Sequence, residues 1–510
     1  MQLISQKKLV YIVVFNKCFI KILFFVILSI VLNNPLFGTN SIAFYELQNE
    51  LTDNKLYWLS NAIPIYLMNS IECKNYYILN QDDISDIYEQ LGLQSNMILT
   101  YATLIKLSVL NKINYAFIGN AKNENEHLYI NAFFYDTTTA NSLQIKLDGN
   151  LKDILKILSS LADKINSYLN SNQSECNYYS DIFQESSPYS FEMFSKALQE
   201  TKPEKMIKFF KYAIKENNNF NIAKLYLAES YFKLADYEKT LDVLKNIPSS
   251  SSLYKKTLFL KANTLAKQNK LEEALNAYLE LSKLHLSSSI FNNIAVILIR
   301  QENFNHSSWY LSQALSILPD DSDIILNYAL LNLLNNNTTK AKNYLMKYIN
   351  KNPKNFTAHF LMEHLAKKEN NLQIANICAE IANEFGNYNA IKAKFDEKII
   401  NYTKIETDLD PELRFKFQTE QIYKNTENTL SALIGYKNRI KENIKRKEYA
   451  KGLEDLSKAI FLKPYDWELH YLKGFYYYSI NDLVNAKKYL EFSLWCENNT
   501  DSTQLLSIIN

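Results

Sequence analysis

At 510 residues, 47% hydrophobic and 22% charged, the chain is too long for one compact core and too apolar for a disordered segment. Fifty-six basic against fifty-four acidic residues leave a formal charge of +2, which excludes a global field that would draw the chain to nucleic acid. Only eight glycines and nine prolines interrupt it, so long helices with few tight turns are expected.

The chain opens with Lys7, Lys8, Lys17 and Lys21, followed by the uncharged run ILFFVILSIVL at 22–32. The run has the length of a secretory signal core and falls short of the roughly 20 residues that span a bilayer. Residues 1–38 are therefore expected to be a signal peptide cut after Gly38, or an N-terminal anchor spanning 9–32 with Lys17 and Lys21 snorkelling. Either reading places the chain in a periplasm or cell envelope. Cys18, Cys73, Cys176, Cys378 and Cys496 show no CxxC spacing, so a redox or metal motif of that kind is excluded. The four cysteines that outlast cleavage allow a disulfide in an oxidising compartment but do not require one.

Over 39–171 the hydrophobic period changes repeatedly. SIAFYEL at 41–47 alternates like a strand, and Leu59 to Ile71 carries a helical pattern with Pro64 expected in its first turn. YYILNQ at 76–81 reads as a short strand, and Asp83 as the cap of the helix that follows. Residues 113–149 read as three strands, the first turn being AKNENEH at 121–127. LKDILKILSSLADKINSYL at 151–169 closes an α/β unit as an amphipathic helix. Trp58-Leu59, IYEQLGL at 87–93, YAFIG at 115–119 and LYINAFFYDTTT at 128–139 resemble the TolB-type amino-terminal domain, which is also similar to the envelope proteins FlgO and CsgG. The resemblance implies an α/β domain that docks onto an envelope component. Ala140-Asn141 stands where that family usually has a Gly after the Asp-x-x-Thr turn.

Residues 172–188 are polar and aperiodic and read as a linker. Beyond them a period emerges. Ala295, Ser307, Ala314 and Pro319 are followed one step of 34 later by Ala329, Ala341 and Pro353, and after a second step by Ala375 and Ala382. Backwards the register gives Ala262 and Ala274, then Ala228 and Thr240; it returns with Gly452, Ala459 and Pro464, then Gly474 and Ala486. Small residues at two fixed points let paired helices cross closely, and the proline stops the second helix. This resembles the tetratricopeptide (TPR) pattern. The expected fold is an α/β N-terminal domain followed by an all-α TPR solenoid. Six units occupy 189–387, an out-of-register helical connector occupies 388–430, and two further units and a tail fill 431–510.

The sequence contains no GxGxxG, no GxxxxGK[ST] and no GxSxG. His359 and His364 are five apart, off a common helical face, and read as partly exposed helix residues. No catalytic, cofactor-binding or metal-binding residue is nominated, and an enzyme is not expected. The binding signal is better. Lys233, Lys267, Arg300, Leu334 and Lys368 occupy the same position of successive units, and four of these five are basic. One reading is an electropositive groove for an acidic or C-terminal carboxylate peptide, with Asn263 and Asn292 beside it. The other is that each cation complements a helix C-terminus. The basic stretch 437–451 could touch anionic lipid or an acidic partner, or be a solvated helix face. The expected function is an exported, non-catalytic scaffold that binds protein or peptide ligands near an envelope membrane. The alternative is a membrane-associated sensor whose α/β domain binds a small ligand.

Overall fold

The computed structural model describes residues 40–49, 56–90, 92–93, 99–172, 174–183, 186–396, 398–409 and 429–509. The expected leader at 1–38 lies outside them. A mixed sheet forms first. Its strands are β1 (Asn40–Phe44), β2 (Gln48–Asn49), β4 (Tyr76–Ile78), β5 (Tyr115–Glu124), β6 (His127–Asp136) and β7 (Ser142–Asn150), in the order β4-β1-β5-β6-β7 with β2 also pairing β5. The β1 pairings with β4 and β5 are parallel, whereas β5, β6 and β7 run as an antiparallel meander. Helices α1 (Trp58–Ser70), α2 (Gln81–Gln90), α3 (Tyr101–Leu110) and α4 (Ile154–Ser171) complete the unit.

Three local expectations are revised. Pro64 lies inside α1, beyond its first turn. The ring removes the donor that would have bonded Ser60, and the Leu47 N–H donates to that carbonyl instead at 3.2 Å. Asp83 sits within α2 and not at its cap: Asn80 Oδ1 accepts from the Asp83 N–H and Asp83 Oδ2 from the Asn80 N–H, a reciprocal capping box. The first turn of the meander shrinks to Asn125 and Glu126, with φ of 51° and 64°, the two-residue geometry whose twist matches the flanking strands.

Residues 172–188 differ from a free linker. Strand β8 (Cys176–Tyr178) pairs antiparallel with β3 (Ile71–Cys73), and Cys73 and Cys176 are joined by a disulfide. Phe183 is fully buried and stacks on Tyr66 at 4.6 Å, and Phe191 and Phe194 continue the same aromatic cluster. The sheet, α1, α4 and the first helices beyond them therefore share one apolar core.

Helices then come in antiparallel pairs. They are α5 (Pro188–Gln199) with α6 (Pro203–Glu216), α7 (Asn221–Lys233) with α8 (Tyr237–Leu244), and α9 (Tyr254–Lys267) with α10 (Leu271–Leu284). Next are α11 (Ser288–Arg300) with α12 (Phe304–Ile317), α13 (Ser322–Leu334) with α14 (Thr338–Lys351), and α15 (Phe356–Lys368) with α16 (Leu372–Glu384). The backbone repeats with the sequence: Ala235, Asn269, Glu302, Asn336 and Asn370 each have φ between 57° and 60° just past a first helix, in steps of 33 or 34. Ala262, Ala274, Ala295, Ser307, Ala314, Ala329 and Ala341 are fully buried at the crossings. The prolines act as stops, α12 ending before Pro319 and α14 before Pro353.

After the short helix α17 (Tyr388–Lys392) and a 3-10 turn at Ile399–Tyr402, the connector is not helical in its remaining described residues, 403–409. A C-terminal module follows: α18 (429–445), α19 (Tyr449–Leu462), α20 (Trp467–Ser479), α21 (Leu483–Cys496) and α22 (Thr500–Ile509). It packs on α15 and α16. His359, expected to be partly exposed, is fully buried in that joint, donating from Nε2 to Pro353 O at 2.8 Å and accepting at Nδ1 from Tyr465 at 3.1 Å. His364 is half-buried beside Phe360. Lys488–Glu380 at 2.9 Å and Trp495 Nε1 to Glu369 at 2.8 Å add polar ties. The basic stretch 437–451 is laced into this module: Lys437 bonds Asp466 and Glu468, Lys441 bonds Glu468, and Arg439 bonds Asp455. No described helix is long and apolar enough to cross a membrane.

Candidate peptide-binding face

The small residues of each unit let the paired helices cross closely, and polar residues of the first helices meet a segment from outside the pairs. On α9, α11 and α13 these are Asn263, Ser289, Asn292, Asn293, Arg300 and Asn327. All four asparagines are buried. What buries them is the chain's own strap, residues 403–409.

The contacts are mostly to main chain. Asn327 Oδ1 accepts from the Lys404 N–H and its Nδ2 donates to Lys404 O, both at 2.7 Å. Asn293 does the same to Glu406, at 2.8 and 2.9 Å. A residue in extended conformation points its N–H and C=O to one side, and the next such residue is two along. Two primary amides therefore clamp alternate residues as a neighbouring strand would. Asn292 Nδ2 adds a bond to Lys404 O at 3.1 Å, and Asn327 Nδ2 donates to Asn292 Oδ1 at 2.8 Å, so the clamps hold each other. Asn263 reaches Glu406 O at 3.4 Å and is fixed by the Tyr278 hydroxyl, while Ser289 Oγ donates to Asp408 O at 2.6 Å. Ile405, between the clamped residues, and Leu409, just after Asp408, pack on the apolar core of α9–α11.

Of the residues singled out from sequence, Asn263, Asn292 and Arg300 meet on the strap. Arg300 donates from Nε to Thr403 Oγ1 at 3.1 Å, from Nη2 to Thr403 O at 3.4 Å, and from Nη1 to Ala266 O at the end of α9 at 3.4 Å. Lys267 stands nearby; desolvation first, then Arg300 and Lys404, pull its ammonium below the ordinary lysine range. Lys368 is elsewhere, donating to Leu333 O at the end of α13 at 2.7 Å. Lys233 is exposed at the end of α7, where its charge and that of Lys256 oppose the upward push of burial on Glu229. At Arg300 and Lys368 the recurrent cation thus bonds the terminal carbonyls of the preceding unit's first helix, the helix-end role. The sequence reading missed Asn293 and Asn327, which recur 34 apart as any repeat-register position would; it also missed the alternating Thr403, Ile405, Thr407 that marks the strap as extended.

The face is electrostatically divided. Arg300 and Lys267 make one end positive, whereas Asp321 and Asp323 bound the other. Glu406 lies toward that acidic end: burial first, opposed by the Asp408 and Thr407 amides and aided by Asp321 and Asp323, pushes its carboxyl up to about 7. Asp323 is likewise raised, by burial and by Asp321, with Lys404 opposing. An electropositive groove therefore describes only part of it. No cluster of metal-ligating side chains occurs among the described residues.

The model of the family described as anaphase-promoting complex, cyclosome, subunit 3 matches residues 205–281, and that of the coatomer epsilon subunit matches 257–378. No curated protein matches the sequence. Similar solved structures include PilW, described as a widely conserved type IV pilus biogenesis factor, with 16% identity, 42% of this chain and 98% of that chain covered, and a TM-score of 0.35. PilF of Pseudomonas aeruginosa is 17% identical over 42% of this chain and 94% of its own, with a TM-score of 0.34. YrrB, described as a TPR protein with an unusual peptide-binding site, is 15% identical over 36% of this chain and 97% of its own, with a TM-score of 0.31. The helical part of the chain is a TPR-type repeat array, a fold that is generally non-catalytic and binds proteins or peptides.

Proposed function

We propose that this chain is an exported, non-catalytic interaction scaffold of a bacterial cell envelope. Its array holds an extended segment of a partner protein, and its TolB-like α/β domain docks a second envelope component. The observation that carries the reading is the pair of amide clamps, Asn293 on Glu406 and Asn327 on Lys404, which grip backbone and so suit any extended segment. Export is supported by the apolar run at 22–32 and by the Cys73–Cys176 disulfide, a bond that persists in oxidising compartments.

Crosslinking in native envelopes followed by pull-down tests the reading. The chain should fractionate with the envelope and capture a discrete partner, and Asn293→Ala with Asn327→Ala should lose that partner. Recovery of the intact chain from the cytosol, or capture unaffected by the double substitution, would overturn it.

A further inference from the structure

The face proposed as a partner site is already full. We infer that residues 403–409 are an intramolecular ligand that closes this face, and that the partner opens it with a strand of matching pattern: a hydroxyl residue, apolar residues two and six positions later, and an uncharged residue three positions later. The inference rests on the scaffold reading and names the chemistry of its ligand.

The pattern is read from the strap. The Thr403 hydroxyl accepts from Arg300, while Ile405 and Leu409 fill the apolar contacts. Lys404 and Thr407 side chains are exposed, so those positions select little. The contacts at 404, 406 and 408 from Asn327, Asn293 and Ser289 go to main-chain atoms, which every peptide carries. The strap is thus held by interactions a competitor can reproduce in full. It also carries one group that suits the site badly: the Glu406 carboxyl faces Asp321 and Asp323, with Lys404 the cation beside them and Thr407 and Asp408 supplying backbone N–H groups. A competitor with an uncharged residue there avoids that repulsion. The array and the C-terminal module hold each other by contacts outside the strap, at His359, Glu380 and Glu369, so release leaves both in place.

The probe is a labelled synthetic peptide of residues 401–411 of this chain, tested by fluorescence anisotropy against the full chain and against a full-length variant with 403–409 replaced by Gly and Ser. The variant should bind the peptide one to one, at least tenfold more tightly than the wild type, and Asn293→Ala with Asn327→Ala in that background should abolish binding. A peptide carrying Glu406→Gln should bind the variant more tightly still at pH 7.5. Hydrogen exchange on the unmodified chain supplies a readout independent of the variant's folding. The amides of Lys404 and Glu406 should exchange faster than the core amides of α11 and α13, and lose protection when excess peptide is added. Equal, core-like protection that peptide does not change, or a folded variant that ignores the peptide, would overturn the inference. Such a failure alongside clamp-dependent envelope capture would leave the scaffold reading intact; peptide exchange without any envelope partner would instead remove that reading alone.

Discussion

Single residues at the helix ends show how the repeat is written into the backbone. Among the described residues, Asn occupies four of the seven left-handed positions that close first helices, at 269, 336, 370 and 481, while Ala235, Glu302 and Lys447 fill the others. Every Cβ crowds the carbonyl in that conformation; Asn offsets the strain by hydrogen-bonding locally through its short polar side chain, and Ala has no such group. Ala235→Gly should therefore stabilise the chain by about 1 kcal/mol, seen as a higher denaturation midpoint. Glu406 is the residue whose charge state matters most to the strap. Its docked carboxyl titrates at about 7 against an ordinary 4.5, so between those values the docked strap keeps a proton that the released strap has lost. Docking should weaken as pH rises through that window and level off above it. Glu406→Gln should remove the slope and raise protection of the Lys404 amide at neutral pH.

At the scale of elements, the crossing points determine whether a helix pair closes. Ala329 on α13 is fully buried at a helix crossing. Ala329→Trp should cost about 1–3 kcal/mol or more by overpacking, and an unchanged melting temperature would contradict the crossing assignment. One step of 34 later the corresponding residue is Glu363, and there the array changes. Its carboxylate is buried, yet Lys367, Lys392 and the Tyr388 hydroxyl hold it below the usual range against the opposing push of burial. Lys392 and Tyr388 belong to α17, so this charge ties down the helix from which the chain leaves the repeat. The pairs themselves were legible, because small residues and prolines recur at fixed spacing. The strap was not, because its polar backbone is satisfied by asparagines up to 113 positions away.

For the whole molecule, the Cys73–Cys176 bridge decides how firmly the α/β unit joins the array. It closes a sequence separation of 103 residues. Replacing both cysteines with Ser should cost roughly 3–5 kcal/mol through restored chain freedom, read as an earlier first unfolding transition, with the later transitions of the array little changed. The C-terminal module, separated in sequence, packs its Tyr465 and Trp495 onto the α13–α16 core. From the sequence alone came the two-part organisation, the period and register of the helix pairs, and three of the residues that meet on the strap. These are encoded locally, as alternation within strands and small residues at constant spacing along helices. The tertiary structure alone decided that the linker is a bonded strand, that His359 is a buried joint, and that the chain occupies its own binding face. Each of these is a contact between distant segments, settled by which buried polar group finds a partner once the helices have stacked.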